Sequence, residues 1–79
     1  MRLDKFLKVS RLIKRRSVAN EACDAGRVLV NDRPAKASTK VKVGDTIEIQ
    51  FGTKSVKVRV LRVAETVRKE EAADMVEYI

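Results

Sequence analysis

Histidine and tryptophan are both absent from the 79-residue sequence. The lack of histidine removes the usual general base near neutral pH and the commonest metal ligand. One cysteine, Cys23, can neither close an internal disulfide nor build a structural zinc site. No metal and no cofactor is therefore expected, and a reducing, cytoplasmic compartment is the simplest setting. The three glycines, Gly26, Gly44 and Gly52, are too scattered to form a phosphate-cradling loop. No apolar run approaches the roughly 18 residues of a membrane span. Arg2, Lys5 and Lys8 leave no room for a signal-peptide apolar region. Aromatics amount to 4%: Phe6, Phe51 and Tyr78, of which the two phenylalanines sit at apolar positions. That leaves no platform on which single-stranded bases could stack. Most of the eleven acidic residues alternate with cations, so an enzyme is not expected.

What the chain has instead is positive charge in one half. The formal net charge is +7. Residues 1–42 hold 12 Lys/Arg against 4 Asp/Glu, whereas residues 43–79 hold 6 against 7. From Arg2 to Arg16, seven residues are basic and only Asp4 opposes them. The cations are interleaved with Leu3, Phe6, Leu7, Leu12 and Ile13, spaced to pack. A folded basic surface of this kind points to a polyanion, and RNA fits best. With 44% hydrophobic residues the chain is too apolar for a disordered basic tail. Its length suits one small domain.

Periodicity divides the chain. Residues 2–9 read as a short amphipathic helix, with Leu3, Phe6 and Leu7 on one face and Arg2, Lys5 and Lys8 roughly opposite. Residues 10–16 form a connector pinned by Leu12 and Ile13. Ser17 reads as an N-cap for a helix from about Val18 to Ala25, with Val18, Ala19, Ala22, Cys23 and Ala25 on one broad face, ended by Gly26 in a left-handed cap. Lys14, Arg15 and Arg16 stand just before this helix start, which makes the corner the best phosphate site in the chain. Cys23 reads as a small buried apolar residue.

From Arg27 the period changes to that of strands. Val28–Val30 and Arg33–Lys36 flank an Asn31-Asp32 turn, with Pro34 confining the second strand to an edge. Thr46–Phe51, with Ile47, Ile49 and Phe51 inward, should form a hairpin with Lys54–Val63 across Gly52-Thr53. The expected division is a domain over residues 1–65 and a short acidic helix or tail over residues 66–79.

Four blocks in order carry a resemblance. These are Arg2-Leu3-Asp4-Lys5-Phe6-Leu7; Arg15-Arg16-Ser17 with Ala19; Gly26-Arg27-Val28-Leu29-Val30-Asn31; and Val43-Gly44-Asp45-Thr46-Ile47. Together they resemble the S-four RNA-binding domain, named for ribosomal small-subunit protein four, over about residues 1–50. The resemblance implies an α+β fold: two packed N-terminal helices, then a small twisted, mainly antiparallel sheet, with room for a short C-terminal helix. Among stand-alone members the chain looks most like the P-site factors of bacterial ribosome-associated quality control (RqcP). The heat-shock relatives of about fifteen kilodaltons carry a longer basic extension.

That family implies binding to large-subunit ribosomal RNA and P-site tRNA on the large ribosomal subunit, alongside the alanine-tailing factor RqcH, without a membrane and as a monomer. It also implies roles for residues. Arg2 and Arg16 match positions that bridge tRNA and ribosomal RNA, and Lys5, Arg11 and Arg15 match the surrounding basic surface. Many relatives have serine where Arg15 stands. With Lys8, Lys14, Ser17 and Asn20, these are the expected RNA-binding residues, recognising folded shape and backbone rather than base sequence. Other readings stay open: a heat-shock-type recycling factor for large subunits, an accessory module of an RNA-modification or ribosome-assembly system, and a basic module for an acidic protein.

Overall fold

The computed structural model describes residues 1–79. Helix α1, Leu3–Val9, and helix α2, Arg16–Asp24, pack on one face of a five-stranded antiparallel sheet. The strands are β1 Val28–Val30, β2 Arg33–Pro34, β3 Thr46–Phe51, β4 Lys54–Val60 and β5 Val76–Tyr78, in the order β2-β1-β3-β4-β5. A helical turn, α3 Lys69–Ala72, runs into a 3₁₀ turn, Ala73–Met75, before β5.

The core follows the apolar periods. Leu3, Phe6 and Leu7 of α1 and Ala19 and Cys23 of α2 meet Val28, Ile47, Ile49, Val58 and Val60 of the sheet. Phe6 is the largest fully buried side chain. The opposite face of the sheet carries Glu48 across from Lys57, and Arg59 across from Thr46 and Glu77. Opposite charges on paired positions make a self-compensated, solvated face.

The turns follow local chemistry. Gly26 has φ 74°, its N–H bonds the Cys23 carbonyl at 3.0 Å, and the Arg27 N–H bonds the Ala22 carbonyl at 3.0 Å, which closes α2 in a Schellman motif. Asn31 and Asp32 take φ of 52° and 67°, as a two-residue hairpin between β1 and β2 requires. The Asn31 amide donates to Asp45 Oδ1 at 3.2 Å and its Oδ1 accepts from the Thr46 N–H at 3.0 Å, so Asn31 joins that turn to the start of β3. Asp45, buried, also accepts from the Lys42 N–H at 2.9 Å.

Four expectations are corrected. Helix α2 begins at Arg16, with Arg15 as N-cap and no side-chain cap; Ser17 lies inside the helix and exposed. The earlier start lets Arg16 reach Asp4 on α1, a tertiary bond that local capping rules do not contain. On α2 the buried face is narrower than expected, because Val18 and Ala25 are exposed and only Ala19 and Cys23 are fully covered. Phe51 is half-exposed, because the tip of the β3–β4 hairpin runs past the helices that cover the rest of the strand. The acidic segment is neither wholly helical nor frayed: it turns once and pairs Val76 with Val60 and Tyr78 with Val58 as the edge strand. Met75 is fully buried there.

The burial of Phe6 and Met75 sets an expectation for stability. Phe6→Ala should cost about 3–5 kcal/mol and Met75→Ala about 2–5 kcal/mol, large fractions of what so small a domain has to lose. Chemical denaturation monitored by circular dichroism checks both. Little change for Met75→Ala would mean that the C-terminal segment is not docked on the core.

Candidate nucleic-acid interface

Asp4 is buried with only about 2% of its surface exposed, and it sits in the first turn of α1. Its Oδ1 accepts the Lys5 N–H at 2.8 Å, one of the helix-start donors that would otherwise lack a partner. The rest of its capacity faces other elements. Arg2 donates from Nε to Oδ1 at 3.2 Å and from Nη2 to Oδ2 at 3.4 Å. Arg16 donates from Nε to Oδ2 at 3.2 Å and from Nη2 to Oδ1 at 3.5 Å. Asn20, one turn further along α2, donates from Nδ2 to Oδ2 at 3.4 Å. One carboxylate therefore gathers two guanidinium groups and an amide.

Burial by itself would push the Asp4 pKa up. The hydrogen bonds from Arg16, the Lys5 N–H and Asn20, with the Arg16 charge, outweigh it and hold the carboxyl below its ordinary value. The cluster keeps a surplus positive charge, and both arginine side chains remain about half exposed. Their unused N–H donors are available to solvent, and a phosphate oxygen fits such a pair. The start of α2 adjoins them without a side-chain cap, flanked by exposed Arg15.

The structure brings a further cation to this place. The segment 37–41 runs back along the start of the chain. Leu3 N–H bonds the Thr39 carbonyl at 2.7 Å, Asp4 N–H the Ala37 carbonyl at 3.1 Å, and Val41 N–H the Met1 carbonyl at 2.9 Å. Lys40 is thereby the bridge partner of Arg2. Like charges at paired positions are unfavourable in themselves; an anion between them removes the penalty. Lys36, Lys40 and Lys42 are exposed on or beside this segment. Sequence reading missed Lys40 because its neighbour is 38 positions away. It also left Asp4 without a role, although a lone acid among seven cations was the available signal.

The nine expected residues thus fall into separate groups. Arg2, Arg16 and Asn20 meet at Asp4, where the Asn20 amide is turned inward rather than outward to a ligand. Lys8, Arg11 and Lys14 line a different cleft together with Glu65, Thr66 and Val67. Lys5 is paired with Glu65 at its rim, and this partner lowers the Glu65 pKa. Arg15 and Ser17 are exposed at the head of α2. Cys23 is buried, its thiol pushed up to about 11 chiefly by burial and further by the charges of Asp4 and Asp24, which makes it a packing residue.

Residues 1–47 match the S4 domain family. The chain belongs to that family. It is 61% identical over 77 residues to the RQC P-site tRNA stabilizing factor of Halalkalibacterium halodurans, covering 98% of this chain and 88% of the relative. To the factor of that name from Streptococcus pneumoniae it is 56% identical over 79 residues, covering 100% and 90%. Heat shock protein 15 of Vibrio cholerae superimposes with a TM-score of 0.92 at 29% identity, over 100% of this chain and 81% of the other. Within the S4 domain family the chain thus groups with the quality-control factors in sequence, and it shares its fold with the heat-shock member. The two helices and the sheet expected from the pattern are those of this S4 domain.

The depressed Asp4 pKa has a pH consequence. The folded pKa lies below the unfolded value of 3.8, so the folded state favours the ionised form. The contribution of Asp4 to stability is full above the unfolded pKa and is lost as pH falls through the folded one. Asp4→Asn should therefore lower the melting temperature at neutral pH, with the gap from wild type narrowing below about pH 4. Thermal melts of both proteins across pH 3–8 check this. A gap that stays constant into acid would mean that the charge on Asp4 does not hold the cluster.

Proposed function

We propose that the protein is a non-enzymatic RNA-binding factor of bacterial ribosome-associated quality control. It holds a P-site peptidyl-tRNA on an obstructed large ribosomal subunit by contacting the tRNA and large-subunit ribosomal RNA at once. The observation that carries the reading is the Asp4-centred pair of Arg2 and Arg16. One buried carboxylate pre-orders two bidentate cations, so little side-chain freedom is lost when phosphates arrive. The relatives named as P-site tRNA stabilizing factors support the assignment to the ribosome. Arg2, Lys5, Lys8, Arg11, Lys14, Arg15, Arg16 and Ser17 form the proposed RNA surface, with Lys40 added beside Arg2, and Asn20 supports it from behind by holding Asp4.

In this reading the protein acts by position alone. Phosphate contacts fix where it sits and carry little sequence information. A small rigid corner stabilises one arrangement of two RNAs, and the alanine-tailing factor RqcH extends the stalled chain on the same subunit. The fold shared with heat shock protein 15 favours a second reading, recycling of large subunits that hold trapped peptidyl-tRNA. Loss of alanine tailing on deletion of the protein would separate the first from the second.

Binding should follow the charge. Wild type should pellet with large subunits, more strongly when they hold peptidyl-tRNA, and the affinity should fall steeply with salt. Arg16→Ala should reduce pelleting and also cost about 1–3 kcal/mol of stability, since it leaves the buried Asp4 carboxylate without two of its donors. Equal binding to small subunits, or an Arg16→Ala protein that melts normally and pellets like wild type, contradicts the assignment.

A further inference from the structure

A second site lies away from the Asp4 cluster. The connector after α1 and the returning segment 65–67 enclose a cleft of about 490 Å³, within the range of roughly 300–1,000 Å³ typical of small-molecule sites. Its cations are Lys8, Arg11 and Lys14, none of which has a carboxylate partner. The one acid at the cleft, Glu65, is engaged by Lys5. Its apolar lining is Val9, Leu12 and Val67, side chains that also pack on the core. A purely electrostatic phosphate surface needs no such lining.

The backbone supplies an independent observation. Arg11 has φ 63°, the left-handed region. It directly follows Ser10, the C-cap of α1, and its N–H bonds the Lys8 carbonyl at 3.1 Å. Glycine is the usual residue there, because a Cβ is disfavoured in that conformation. The chain itself uses glycine at the matching place after α2, where Gly26 has φ 74°. The other non-glycine residues at positive φ are Asn31 and Asp32, types that tolerate it. Arg11 alone combines an unfavourable backbone with a long cation, and that cation lines the cleft. Strain at one residue of a cleft is a mark of function.

We infer that this cleft receives one unstacked nucleotide of the bound RNA. Its phosphodiester lies among Lys8, Arg11 and Lys14, and its base lies over Val9, Leu12 and Val67. The inference rests on the RNA-binding reading above and adds to it a contact with a base, where shape and backbone alone were expected. Bulged or looped nucleotides offer such a base at low cost, because they are already out of the stack.

The test compares a hairpin RNA carrying a single bulged nucleotide, the same hairpin without the bulge, and the free mononucleotide, by fluorescence anisotropy and competition. Wild type should prefer the bulged hairpin by about fivefold or more, the low end of what one base contact contributes. The mononucleotide should compete only weakly, because it lacks the flanking phosphates. Arg11→Gly should melt at or above the wild-type temperature and lose the preference. Arg16→Ala should weaken both hairpins and keep the preference. No bulge preference in wild type, or an Arg11→Gly protein that retains it, overturns the cleft. So does an Arg11→Gly protein that melts well below wild type, which would make Arg11 a structural residue. Strong competition by the mononucleotide would assign the cleft to a free nucleotide and overturn its place in RNA binding. The wider reading is judged separately by pelleting with large subunits: a protein that pellets but shows no bulge preference keeps its ribosomal role and loses only this site.

Discussion

A buried carboxylate with cations on either side sets the geometry of the whole basic end. Asp4 has almost no access to water, so its charge is tolerable only while Arg2, Arg16, Asn20 and the Lys5 N–H surround it. The requirement runs in both directions. Arg2 and Arg16 come from different parts of the chain and would repel one another without the anion between them. The same bonds that satisfy Asp4 clamp the start of α1 to the start of α2. The proposed binding surface and the helix packing are therefore one construction, and a change at Asp4 acts on both.

The core supplies the rigidity behind it. Leu3, Phe6 and Leu7 fix the rotation of α1, and Ala19 and Cys23 fix that of α2, so that Asp4, Arg16 and Asn20 point at one another. The segment 37–41, hydrogen-bonded along residues 1–4, closes the third side and carries Lys40 to Arg2. Lys40, exposed and without a carboxylate partner, contributes little to stability where it stands, whereas Arg2 and Arg16 hold the buried charge of Asp4. Lys40 opposite Arg2, and Arg11 in a left-handed backbone, each carry a small stability cost, which the proposed binding of a polyanion would offset.

The second half of the chain, nearly neutral, has a mechanical part in this arrangement. Strand β5 completes the sheet beside β4, and Met75 closes the core. The stretch between β4 and α3 returns over α1, where Val63 and Val67 pack against the core and Glu65 meets Lys5. The acidic tail is thus kept by packing rather than by charge, and the stretch Glu65 to Val67 that leads into it builds one wall of the basic cleft.

Local patterns were enough for the two packed helices and the first four strands, though not for all their ends, and for the left-handed glycine after α2, the Asn31-Asp32 turn and the basic half, because each depends on residues a few positions apart. The resemblance carried by the blocks from Arg2 to Ile47 was legible for the same reason, being a matter of residue types at short spacing. What the tertiary structure alone decided were long-range pairings. Asp4 became the organiser of the cations rather than their lone opponent, and Arg16 started its helix earlier than Ser17 could signal. Lys40 joined Arg2 through a backbone bridge, and Asn20 turned inward. The last strand formed where helical spacing had suggested a helix or tail. In each case free energy came from a partner distant in sequence, either a buried charge needing donors or an open sheet edge needing a strand, and no local period encodes where in the chain that partner lies.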